Sequence, residues 1–117
     1  MNNKITTKEW EEILYKCEEI KENVKVDLEE ELAGLKKYQI NVFLKPETYG
    51  RVFSFGVVIE IEPNCKIIAL GKYSKKDSEM KIYTENLKIN EEDKINFGKK
   101  VYGIFSKYID ENLKNYL

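Results

Sequence analysis

Residues Arg51–Glu62 alternate so regularly between two kinds of side chain that they constrain the fold more than any other segment. Phe53, Phe55, Val57, Ile59 and Ile61 fall on one side, and Val52, Ser54, Gly56, Val58, Glu60 and Glu62 on the other. Successive side chains of a β-strand point to opposite faces, so this period-two pattern predicts a long strand with one wholly apolar face. Such a strand needs paired neighbours along its edges and a covering layer over its phenylalanines.

The flanking sequence supplies both. Tyr38–Leu44 alternates in the same way, with Tyr38, Ile40, Val42 and Leu44 on one side, and Lys45-Pro46 is read as its stop before a turn at residues 47–50. Beyond Pro63-Asn64, Lys66–Tyr73 reads as the next strand, and Met80–Thr84, after a polar loop, as an edge strand. A primed two-residue turn needs positive φ at its first position, which Pro63 cannot adopt. A four-residue loop at Glu62–Cys65 is therefore expected, pairing Val58 with Ala69 and Gly56 with Gly71 and leaving a shallow trough opposite the phenylalanines. A three-residue loop would instead pair Val58 with Leu70 and Gly56 with Lys72, but asks Cys65 to take a left-handed conformation.

Helical periodicity brackets the strands. Thr6 and Glu9 stand at capping-box spacing and Ile5 and Trp10 at hydrophobic-staple spacing. Trp10, Ile13, Leu14, Cys17 and Ile20 continue as an apolar stripe, predicting a helix to about Glu22. Asp27 and Glu30 repeat the capping spacing, so a second short helix is expected from about Leu28 to Lys37, with Gly34 weakening it by about 1 kcal/mol relative to alanine. Asn90 followed by Glu91, Glu92 and Asp93 opens a final long helix whose broad apolar stripe, including Phe97, Val101, Phe105 and Ile109, calls for packing along a sheet. The expected fold is α+β: one domain over residues 1–117, a four-stranded antiparallel β-meander with two N-terminal helices and one long C-terminal helix packed on its phenylalanine face. At 117 residues with 42% hydrophobic and 12% aromatic residues, the chain can build one core.

Charge separates the function classes. The formal net charge is −1, which predicts no bulk attraction to nucleic acid or anionic membrane. The distribution is polarised, with −7 between Glu9 and Glu31 and +3 between Lys66 and Lys81. Arg51 is the sole arginine, and only Ala33 and Ala69 are alanine. This bias matches an AT-rich coding genome, of bacterial or phage type, and leaves lysine to do what bidentate guanidinium does better. No run of about 18 apolar residues marks a membrane helix, and Met1-Asn2-Asn3-Lys4 leads into no secretory signal, so a cytoplasmic protein is expected.

Catalytic chemistry finds little support. Histidine is absent, and Cys17 and Cys65, expected to be reduced, have no base of that kind to activate them. No phosphate-binding glycine motif or nucleophile elbow is present. Glu60 and Glu62 share a strand face and Glu79-x-Lys81 lies on the edge strand, an acid–lysine spacing used by metal-dependent nucleases, yet one that arises readily by chance in a chain 35% charged. No enzyme activity, cofactor or metal is expected.

Binding readings remain. The first is a non-enzymatic inhibitor, immunity or regulatory protein that engages a protein partner with a basic surface. Its contact would be the acidic helical face carrying Glu11, Glu12, Glu18, Glu19, Glu22, Glu29 and Glu30, or an open sheet face. The alternative is a single-stranded nucleic-acid binder using a lysine–tyrosine hairpin of Lys66, Lys72, Tyr73, Lys75, Lys76, Lys81 and Tyr83. A small-ligand site between sheet and final helix, lined by Phe53, Phe55, Tyr102 and Phe105, is the third. A homodimer through an unpaired edge, at Tyr38–Leu44 or Met80–Thr84, is a further expectation.

Overall fold

The structure, a computed structural model, describes residues 6–34, 37–47, 51–61, 64–76 and 78–116. Helix α1 (Thr7–Glu31) leads into strands β1 (Tyr38–Glu47), β2 (Val52–Ile61), β3 (Cys65–Tyr73) and β4 (Ser78–Glu85). Helix α2 (Glu91–Leu113) follows and ends in a 3₁₀ turn, Lys114–Tyr116. The four strands form one antiparallel sheet in sequence order, with β1 and β4 at its edges.

The expected α+β meander is therefore present, but with one N-terminal helix in place of two. Thr6 Oγ1 accepts from the Glu9 amide at 3.1 Å and Glu9 Oε1 accepts from the Thr6 amide at 3.2 Å, completing the capping box. Ile5, the other half of the proposed staple, lies outside the described residues. From Ile13 the buried positions run without a break through Cys17, Ile20, Val24 and Leu28. That stripe crosses the Asn23–Val26 segment where a break was expected, and nothing in those residues stops a helix. Asp27 does not cap a second helix; its carboxylate accepts a hydrogen bond from the Tyr108 hydroxyl at 2.8 Å.

Two expectations for the strands are also corrected. β1 continues through Pro46 to Glu47, because an edge strand can present a residue without an N–H toward its unpaired side. The hairpin register is neither of those weighed: Ile61 pairs with Cys65, Val58 with Ile68 and Gly56 with Leu70. The loop between the paired ends is three residues, and Asn64, at φ 57, takes the left-handed position that Cys65 would resist. Asn86, at φ 53, anchors this end by donating from Nδ2 to the Asn64 carbonyl at 3.0 Å, while its own carbonyl accepts from Cys65 Sγ at 3.1 Å. The turn expected at residues 47–50 falls mostly outside the described residues; Glu47 itself is the last residue of β1.

Both helices cover the phenylalanine face, α1 over β1 and α2 over β3 and β4. They run antiparallel, tied by Lys16 Nζ to the Asn112 carbonyl (3.2 Å), Tyr116 to Glu12 (3.2 Å), Tyr108 to Asp27 (2.8 Å) and Lys100 to Glu31 (2.8 Å). The Asn90 side chain caps α2 by accepting from the Asp93 amide at 2.8 Å, and three acids occupy the first turn, where the helix dipole favours them. Under α2 the Phe55 ring stacks on Phe105 with centroids 4.3 Å apart. Gly71 makes that placement possible: a β-carbon there would stand 2.6 Å from Phe55 Cζ.

Candidate functional site

The seven acids selected from sequence lie on one continuous helix and all are exposed. Glu11, Glu18, Glu22 and Glu29 recur at i, i+7, i+11 and i+18, which at 3.6 residues per turn places them within about 40° of one another. Glu12, Glu19 and Glu30 form a second line about 90° further round the helix. Glu12 accepts from Tyr116, and Glu18 pairs with Lys21 at 2.7 Å. The carboxylates of Glu11, Glu19, Glu22, Glu29 and Glu30 make no hydrogen bond or ion pair to any described residue.

Between the two acidic lines stand Tyr15, 67% exposed, and Val26, 53% exposed. They are three helical turns apart, about 16 Å. Sequence reading missed both, because each lies off the buried stripe and is surrounded by charge. The surface they form combines a fixed negative field with an aromatic ring already in solvent. Anchors of interfaces have this make-up, in which a large ring enters a recess and charges around it set approach and selectivity.

The lysine–tyrosine set is divided by the sheet. Lys66, Lys72, Lys81 and Tyr83 lie on the outer face, which no helix covers; Lys75 and Lys76 are exposed in the β3–β4 connection. Tyr73 points the other way, packs edge-on against Tyr102 with centroids 5.8 Å apart, and donates its hydroxyl to Asp110. The lysines also have acidic neighbours: Lys66 is 3.9 Å from Glu60 and sits opposite Glu85, and Lys72 sits opposite Glu79.

The remaining candidates do not converge. Phe53, Phe55 and Phe105 are core residues exposed by at most 3%, and only Tyr102 borders an open groove of about 420 Å³, between β4 and α2, with Met80, Ile82 and Ile95. Glu60 and Glu79 occupy opposite ends of the outer face with β3 between their strands, and Glu62 lies outside the described residues. Among the described residues no cluster of three or more acids, cysteines or histidines could hold a metal ion, and no helix is long and apolar enough to cross a membrane.

Thiol chemistry is suppressed at Cys17. Burial pushes its pKa up to about 11 from 9.0, so thiolate at pH 7 is about one part in ten thousand. Tyr73 is pushed up to about 12 by burial and by its bond to Asp110. Tyr108 is raised first by its hydrogen bond to Asp27, and Tyr116 first by burial and then by its bond to Glu12. All four hold their protons more tightly folded than unfolded. Their stabilisation is complete at neutral pH and is lost as pH rises, for Cys17 and Tyr73 between about 9 and 12. Cys17 alone is expected to remove on the order of 2 kcal/mol by pH 11. Urea midpoints at pH 7, 9, 10 and 11 should fall accordingly, less steeply in Cys17→Ala; a midpoint constant to pH 11 would refute this.

No protein-family model matches this chain, and no curated protein or solved structure matches it.

Proposed function

We propose that the chain is a non-enzymatic binding module that engages a protein partner through the outer face of α1. The observation that carries this reading is the pair of acidic lines flanking Tyr15 and Val26, five of whose carboxylates are tied to no described residue. A partner that fits presents basic residues around an apolar recess for the tyrosine ring. On this reading the protein acts as a small stoichiometric regulator of inhibitor or immunity type in the cytoplasm. The alternative, single-stranded nucleic acid on the outer sheet face, has Lys66, Lys72, Lys81 and Tyr83 together in its favour. The engagement of Tyr73 and the acids beside the lysines count against it.

The test is the fourfold reversal E11K/E18K/E22K/E29K. Every substituted side chain is exposed, so the circular dichroism spectrum is expected to stay unchanged and Tm to move by less than about 5 °C. Partner binding is expected to fall at least about 100-fold, since each interfacial attraction becomes a repulsion. Unaltered binding by this folded variant would sink the proposal.

A further inference from the structure

The outer sheet face carries an apolar centre that a lone chain leaves in water. Cross-strand register arranges it in four lines perpendicular to the strands. The two inner lines are Asn41, Val58, Ile68, Tyr83 and Phe43, Gly56, Leu70, Lys81. Phe43, Leu70 and Tyr83 are each about half exposed, at 54, 46 and 49%. Leu70 leans across Gly56, where a β-carbon would meet Leu70 Cδ2 at 2.9 Å, so the centre is a continuous apolar platform. The two outer lines hold the charges: Gln39, Glu60, Lys66, Glu85 at one end and Lys45, Ser54, Lys72, Glu79 at the other.

We infer that this face is the interface of a homodimer, two copies packing sheet against sheet about a twofold axis that runs along the strands between β2 and β3. That axis lays β1 over the second copy's β4, and β2 over its β3, line on line. Lys45 then faces Glu79, Glu60 faces Lys66, Val58 faces Ile68, and the Phe43 ring faces the Lys81 ammonium, a favourable cation–π partner. The other twofold in the plane, perpendicular to the strands, sets Lys66 against Lys72 and Glu79 against Glu85. The charge pattern is thus complementary to itself in one orientation and repulsive in the other. Aligned sheets pack with their strands within about 30° of each other, a tilt that keeps the two inner lines in contact. Four strands about 4.8 Å apart and eight residues long cover about 500 Å². Two such faces bury on the order of 1,000 Å², the lower end of specific interfaces, so a dimer with Kd in the micromolar range is expected. The helices lie on the far side of each sheet, so such a dimer displays two α1 surfaces on opposite sides.

Sedimentation equilibrium of the full chain from about 1 µM to about 500 µM tests this. Leu70→Glu sets an acid beside the axis on an already exposed position and is expected to raise Kd at least about 100-fold. Lys45→Glu and Glu79→Lys are each expected to weaken the dimer about tenfold, and the double variant K45E/E79K to restore it to within about threefold. Within one chain these two residues stand on opposite edge strands, so rescue reports contact between copies. A monomer throughout the range overturns the inference. So does a dimer that Leu70→Glu leaves intact, as one joined through an edge strand would be, or a double variant no tighter than either single one.

Discussion

Phe105→Ala is expected to lower the free energy of unfolding by about 3–5 kcal/mol, the largest effect of any single substitution considered. The ring is fully buried at the centre of the α2 interface and stacks on Phe55 at 4.3 Å. Val101 and Ile109 lie one turn to either side on the same buried face. Truncation removes the transfer free energy of the ring and a stacked aromatic contact, and leaves a cavity that rigid strands below cannot close. Domains of this size are stable by about 5–15 kcal/mol, so the variant should unfold at a far lower urea concentration or fail to fold at body temperature. A loss below about 1 kcal/mol would mean that the two helices do not share one core with the sheet.

Gly71→Ala is the second. Substituting alanine for a strand glycine ordinarily stabilises by about 0.4–1 kcal/mol, by reducing the freedom of the unfolded chain. Here the added methyl would stand 2.6 Å from Phe55 Cζ and 2.7 Å from the Glu79 carbonyl oxygen. The carbonyl belongs to the paired backbone of β4 and cannot move alone, and the ring is held from above by Phe105. Overpacking of this kind costs about 1–3 kcal/mol, so the sign reverses and the variant is destabilised. Gly103→Ala is the control, since nothing lies within 4 Å of a β-carbon there and the position is exposed in α2. It should gain about 0.5–1 kcal/mol. In a Phe105→Ala background the Phe55 ring can retreat into the new space, and Gly71→Ala should then cost less than in the wild-type chain. A Gly71→Ala variant stabilised as Gly103→Ala is would contradict the close approach at Gly71.

The architecture was legible in the sequence because periodicity reports directly on burial. The alternation at Phe53–Ile61 and the wide stripe from Phe97 to Leu113 each admit one element type, and their lengths forced helices onto one sheet face. What was misread depended on partners distant in sequence. Asp27 has the chemistry of a helix cap, and only the approach of Tyr108 from α2 shows that its carboxylate is used elsewhere. Pro46 stops a central strand but not an edge strand, and edge position is a property of the assembled sheet. The hairpin register turned on Asn64 taking a left-handed conformation, which the residue type allows but does not demand. The candidate surface divides in the same way. Its acids were visible as local charge density, whereas the exposure of Tyr15 and Val26 depends on how far α2 and the sheet wrap around α1. The apolar platform of Phe43, Leu70 and Tyr83 depends on the register itself.

Binding through the outer face of α1 is tested by affinity capture with the tagged full chain from lysate of its native host, with and without nuclease, using wild type and the fourfold reversal side by side. The expected result is a stoichiometric protein that nuclease leaves in place and that the reversed chain does not retain. Recovery of nucleic acid alone, or of proteins that vanish with nuclease and bind both baits equally, would contradict it and move the functional surface to the lysines of the outer sheet face.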